Sequence, residues 1–227
     1  MPSLAEVLQS RPYPGRGVLA ARTAGGGRCL AYFLTGRSPA SREREIAVLA
    51  DGDVAVRSTS QEGPADALRH YVAGARRGDV VVVGNGSQVV PIAEALANGA
   101  DPLTAASPHS YEPDGPIFTP RIWISTTTAP GAPVLVGYAT RSDRGGAADR
   151  VIWAPGELSP RHGILMSTYD ASAAHVRTAR LPQDFHTDAS SPDELLVEMF
   201  GALDPDLRVA ALALDPDDFA DSLEIVS

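Results

Sequence analysis

The sequence predicts an α+β protein in which two packed sheets of mainly antiparallel strands are flanked by helices. Short apolar runs of strand length recur along the chain, punctuated by glycine, proline and asparagine turn signals. Helical patterns are few, about three, and are not interleaved one per strand, which disfavours a doubly wound parallel sheet. The 227 residues, 44% of them hydrophobic, read as a single domain over residues 1–227. A domain of that size buries roughly 70% of its unfolded surface and needs no staples.

The elements follow in order. "RGVLAAR" (16–22) and "RCLAYFLT" (28–35) read as strands joined by the "AGGG" turn. "REIAVLADGDVAVRST" reads as a second hairpin, with Asp51-Gly52 as its turn signal. "PADALRHYVAGARRG" takes helical spacing, with Pro64 near the first turn and Gly78 past the end. "DVVVVGNGSQVVPIAEALANG" reads as a strand, a glycine-rich corner and a helix. Two strands, "RIWISTTT" and "PVLVGYATRS", surround "APGAP", and short strands follow at "RVIWAP" and "GILMSTYD". "SSPDELLVEMFGALD" opens a helix: Ser191 caps, Pro192 takes the first position and Glu194 reaches back. "RVAALALD" is expected to be the last strand, with a frayed acidic tail over about 215–227.

Composition excludes several chemistries. Formal net charge is −9, which disfavours a duplex-binding surface and leaves nucleic acid an unexpected partner. All 19 positive residues are arginine, a bias that fits a composition rich in Ala, Gly and Pro. Without lysine there is no Schiff-base nucleophile and no Walker-type phosphate loop. An anion must instead be held by guanidinium forks, backbone amides and hydroxyls. The one cysteine, Cys29, lies in "CLAYFL" and reads as a core thiol, so no internal disulfide or multi-cysteine metal site is expected. His70, His109, His162, His175 and His186 show no ligand spacing, and no metal is expected. A charged-then-apolar leader and an apolar run of membrane-spanning length are both missing. The expectation is a cytoplasmic protein with no membrane partner.

Four segments carry candidate chemistry. In "YPGRG" the Pro14-Gly15 turn sets Arg16 at the start of a strand; alone, this is an ordinary turn. In "YFLTGRSPASRER" a strand ends at Gly36 and releases Arg37, Ser38, Ser41, Arg42 and Arg44 around Pro39. Antiparallel pairing of the two strands brings Arg16 and Arg37 to the same end of the sheet, which marks that end as an anion site. In "GNGSQ" the corner offers helix amides, and Asn85 is suited to a base or carboxamide. It is no dinucleotide fingerprint, because Val89 stands at the third glycine, and a tight turn explains the glycines equally well. "YEPDGPIFTPRI" sets Tyr111, Glu112, Asp114, Thr119 and Arg121 in a proline-held loop leading into a strand. Its carboxylates are acid–base candidates if burial or neighbours tune them, and Asp114, beside Gly115, reads more readily as a turn residue. Tyr169 at the end of "GILMSTYD" either reaches a site or finishes a sheet.

These four segments, in this order, resemble the archaeal-type IMP cyclohydrolase family and its bacterial relatives. The likeness is good over roughly the first 140 residues, weaker at "HGILMSTYD", and indistinct in the C-terminal third. It implies a four-layer α-β-β-α sandwich like that of N-terminal-nucleophile hydrolases. It does not imply their mechanism, since the chain starts Met-Pro-Ser and Cys29 sits inside a strand. The implied reaction closes the ring of 5-formamidoimidazole-4-carboxamide ribotide to IMP and water, without cofactor. The implied site has Arg16, Arg37, Arg42 and Arg121 as phosphate candidates, and Ser38, Ser41, Asp114 and Thr119 as further substrate contacts. Glu112 is expected to move the proton, Tyr111 or Arg37 to donate to the oxyanion, and Asn85 to hold the carboxamide. Two other readings stay open: an enzyme acting on another formamido or carboxamide nucleotide, and a non-catalytic purine-nucleotide-binding module. Exposed edge strands and the "VVVV" run make a homo-oligomer an open expectation, although that run reads equally as a buried central strand.

Overall fold

A computed structural model describes residues 1–60, 68–170 and 176–227. Among the described residues thirteen strands form two antiparallel sheets. In chain order the first elements are helix α1 (Leu4–Gln9), strands β1 (Arg16–Arg22) and β2 (Arg28–Thr35), and the single-turn α2 (Pro39–Arg42). Strands β3 (Arg44–Val48), β4 (Val54–Ser58), β5 (Tyr71–Arg77) and β6 (Val80–Gly84) follow, then helices α3 (Val89–Ala97) and α4 (Pro102–Ala106). The rest is β7 (Arg121–Thr127), β8 (Leu135–Arg141), β9 (Ala148–Trp153), β10 (His162–Ser167), β11 (Gln183–His186), α5 (Pro192–Ala202), β12 (Arg208–Leu214) and β13 (Glu224–Val226). One sheet runs β11-β10-β1-β2-β12-β13 and the other β3-β4-β5-β6-β7-β8-β9.

Period-two alternation makes the layers. Val18 and Ala20 of β1 and Leu30, Tyr32 and Leu34 of β2 face the second sheet, where Val54, Val56, Val81, Val83, Ile122 and Ile124 meet them. The residues between them, Leu19, Ala21, Ala31 and Phe33, turn the other way and pack under α1 and α5 through Leu4, Leu8, Leu195 and Met199. On the far side Val80, Val82 and Trp123 pack under Val89, Ile92 and Ala93 of α3. The result is four layers, helix–sheet–sheet–helix, with three buried clusters. The "VVVV" run is the interior strand β6.

Three expectations are corrected. The helix expected over 64–77 is strand β5 from Tyr71 onward, while residues 61–67 lie outside the described residues. Pairing of β5 with β4 and β6 overrides the helical spacing of its alanines, and Gly78, at φ +57°, is the hairpin turn rather than a helix cap. The tail after β12 is not frayed: β13 pairs with β12, and Leu223 and Ile225 pack against the inter-sheet core. In α5, Ser191 caps by accepting from the Glu194 amide, but the Glu194 carboxylate reaches Ser190 instead of Ser191.

Candidate active site

The register of β1 and β2 sets Arg16 opposite Leu34, so the start of β1 and the end of β2 share one mouth of the inter-sheet layer. A cleft of about 430 Å³ opens there, within the range of about 300–1,000 Å³ usual for small-molecule sites. Its lining brings together Tyr13, Arg16, Ser38, Ser41, Arg44, Arg69, Glu112, Asp114, Thr119 and Tyr169.

Arg16 and Glu112, 96 positions apart, form the centre. Arg16 Nη1 and Nη2 donate to Glu112 Oε1 and Oε2, both at 2.9 Å. Both residues are buried, Glu112 at 2% exposure. Burial pulls the Arg16 guanidinium down, but the Glu112 charge and hydrogen bonds outweigh it and hold Arg16 well above its ordinary value. Arg121 Nη1 lies 3.7 Å from Glu112 Oε1 and donates to Gln88 Oε1 at 3.1 Å. Burial lowers the Arg121 pKa; Glu112 opposes that shift and Arg16 adds to it. A Cβ on Gly86 would sit 1.7 Å from Arg121 Nη1, so the bare glycine corner is what lets this guanidinium lie where it does.

The corner itself is locked by Asn85, which is fully buried. Its Oδ1 accepts from the Ile122 amide at 2.7 Å and from Gln88 Nε2 at 3.1 Å, and its Nδ2 donates to Pro120 O at 2.8 Å. The expectation that Asn85 holds a carboxamide is therefore corrected: its side chain ties β6 to the segment entering β7. Gln88, buried beside it and accepting from Arg121, is a position that the sequence reading missed. Its signal was its place in "GNGSQ", but nothing local pointed to Arg121.

The loop from Tyr111 to Pro120 folds on Asp114. The Thr119 amide donates to Asp114 Oδ1 at 2.7 Å, the Thr119 hydroxyl donates to Asp114 Oδ2, and the Glu112 amide donates to Thr119 O at 2.8 Å. A carboxylate only accepts, so the Thr119 proton is committed to Asp114. The Tyr169 hydroxyl, bonded to Thr119 Oγ1, must then donate to it, which leaves a Tyr169 lone pair for the cleft. Burial raises the Tyr169 pKa despite the nearby Arg16 charge. Tyr13 stacks on Tyr169 with ring centroids 5.6 Å apart.

Tyr111 is corrected as an oxyanion donor. Its hydroxyl donates to Gly146 O at 2.7 Å, its ring packs edge-on to Phe118, and it does not line the cleft.

The opposite wall is the strand exit. A Cβ on Gly36 would meet Ser41 O at 2.5 Å, so glycine is what allows α2 to fold back so tightly. Ser38 and Ser41 form a reciprocal cap on this turn. Arg44 is buried and braces the turn, its Nε donating to Ser41 O at 2.7 Å and its Nη2 to Thr35 O at 3.1 Å. Arg37 is exposed, with its guanidinium carbon 5.8 Å from the Tyr13 ring centroid. Arg42 is exposed, donates to Gly36 O through Nε and does not line the cleft, whereas Arg44 does.

Beneath the floor, Tyr32 and Tyr71 link the two sheets by a hydroxyl–hydroxyl bond of 2.6 Å. No three His, Cys, Asp or Glu side chains gather as a metal site among the described residues. No helix among them is long and apolar enough to cross a membrane.

The sequence matches the IMP cyclohydrolase-like protein family over residues 13–218, and the chain belongs to that family. No curated protein matches it.

Proposed function

We propose that this member of the IMP cyclohydrolase-like family is an IMP cyclohydrolase, closing 5-formamidoimidazole-4-carboxamide ribotide to IMP. The observation that supports this best is the buried Arg16–Glu112 fork at the base of a cleft whose lining carries three arginines and two carboxylates. A cationic cleft in a chain of net charge −9 concentrates an anionic substrate.

The reaction joins the carboxamide nitrogen to the formyl carbon and expels the formyl oxygen as water. The two protons of that water come from the carboxamide and formamide nitrogens. Arg44, Arg69 and the Ser38 hydroxyl seat the phosphate on the strand-exit wall. Glu112 still has lone pairs after accepting from Arg16; it takes the carboxamide proton as the N–C bond forms and returns it to the leaving hydroxyl. The Arg16 guanidinium faces the charge that develops on the formyl oxygen. Tyr169 accepts the formamide proton as its own proton passes to Thr119 and the Thr119 proton to Asp114; the reverse relay delivers it to the leaving oxygen, which departs as water with the proton carried by Glu112. Holding the ribotide folded supplies a further part of the rate, since closure is unimolecular.

The test is incubation of purified protein with the formamido ribotide, following IMP by chromatography, with Glu112→Gln alongside. Turnover that collapses in the variant supports both reaction and role. Turnover untouched by the variant keeps the reaction and removes Glu112 from it. Tight binding without turnover favours a purine-nucleotide-binding module, and neither binding nor turnover sinks the reading.

A further inference from the structure

The inter-sheet layer has a second mouth. Arg16, Val18, Ala20 and Arg22 alternate along one face of β1, so the strand carries an arginine at each end of that layer. The two stand about 20 Å apart at roughly 3.3 Å per residue. At the end away from the cleft, Arg22 pairs in register with Arg28 of β2. A pocket of about 120 Å³ opens between them and the second sheet, with Ala20, Leu30, Val134 and Leu158 among its walls.

The two arginines are not equally satisfied. Arg28 Nη1 donates to Thr127 O at 2.7 Å, and its guanidinium pairs with Asp217. Arg22 Nε is buried and has no hydrogen-bond partner among the described residues. Like charges directly opposite on neighbouring strands repel, and a buried donor without an acceptor is unfavourable. An anion beside the Arg22 guanidinium relieves the charge. Glu157 also borders the pocket but is exposed, and no ion pair joins it to Arg22 among the described residues.

We propose that this pocket binds a small organic carboxylate, its oxygens accepting from the terminal nitrogens of the Arg22 guanidinium and a short aliphatic body lying against Ala20, Leu30, Val134 and Leu158. A cavity of about 150 Å³ accommodates benzene, so the room here suits about five or six non-hydrogen atoms, the size of butyrate. The pocket is separate from the cleft, and its occupancy is read by binding alone, so the outcome does not depend on the cyclohydrolase reading.

The test is a titration of the intact protein, carrying labelled methyl groups, with butyrate, butyramide and inorganic phosphate, followed by NMR. The expected result is saturable shifts of the Ala20, Leu30, Val134 and Leu158 methyls with butyrate, and at least about tenfold weaker binding of butyramide, which has the same shape without the charge. Arg22→Met should weaken butyrate by a similar factor. Absence of saturation by about 50 mM butyrate overturns the site. Butyramide binding as well as butyrate overturns the role of Arg22, and phosphate competing equally with butyrate overturns the aliphatic part. The wild-type comparison of butyrate with butyramide decides the matter even if Arg22→Met fails to fold.

Discussion

On one side of the cleft Arg16, Glu112, Thr119, Asn85 and Gln88 are all buried and hydrogen-bonded to partners in distant segments. On the other, Arg37, Ser38 and Ala40 are exposed, and among the described residues the side-chain bonds of Ser38, Ser41, Arg42 and Arg44 stay within residues 35–44. The first wall is fixed by the core and cannot adapt without disturbing β6, β7 and the Asp114 loop. The second is a local turn braced by one buried arginine, Arg44. A division of labour follows: the fixed wall holds reacting groups within a narrow geometry, and the exposed wall meets the part of the ligand that need only be recognised.

The largest expected effect breaks the fixed wall. Glu112→Gln leaves Arg16 buried without its counter-charge and should cost about 3–5 kcal/mol of stability in urea unfolding. Turnover should fall by about 10²–10⁴-fold, the range for loss of a positioned acid–base group. Wild-type stability and turnover in this variant would remove the ion pair from the centre of the site.

The exposed wall should respond differently. Arg44→Ala loses a braced guanidinium, and KM should rise by about 10- to 100-fold, as for losing a charged hydrogen bond, with kcat far less affected. Arg42→Ala, on the same turn but outside the cleft, should stay within about twofold. Steady-state kinetics on the pair separates the two arginines, and equal effects would erase the distinction drawn between them. Gly86→Ala sharpens the comparison from the other side. The added methyl must displace the Arg121 guanidinium, the free end of a flexible side chain, and no positive φ is needed at that corner. Thermal unfolding should hardly change, while kcat should drop by about tenfold, reflecting a misplacement near the reacting groups.

This asymmetry also explains what the sequence revealed. The β1–β2 hairpin, its two glycine corners and the "GNGSQ" turn were readable because each is written in a few adjacent residues. Arg16 and Glu112 were both recognisable as candidates, but not as partners, since their meeting depends on β1 and the Asp114 loop converging across the sandwich. Arg44 stood in the quoted strand-exit segment, yet only β3 pairing shows that it turns inward. Arg69 fell in a stretch with helical spacing, but it lies in the turn just before β5, whose "YVAGARR" becomes a strand only between β4 and β6. Asn85 and Tyr111 carried the right functional groups, and their partners, Pro120, Ile122 and Gly146, are supplied by the tertiary fold.

The smallest effect concerns His109, behind the fixed wall. Burial, with the Arg121 and Arg150 charges, holds its pKa below the ordinary histidine value, and its carbonyl accepts from Arg150 Nε at 2.7 Å. As pH falls below about 6.5 the unfolded chain takes up the proton before the folded one does. Stability from this group is therefore complete above that pH and is lost as pH falls toward the depressed folded-state value. His109→Gln should flatten that part of the pH–stability curve without changing stability at pH 8. The effect is small because the ring is only half-buried, and any accompanying loss of turnover at low pH should be small as well. A variant whose curve follows the wild type through this window would show that the fixed wall tolerates a charge at His109, and that its rigidity rests on the Arg16–Glu112 fork and the Asn85 lock alone.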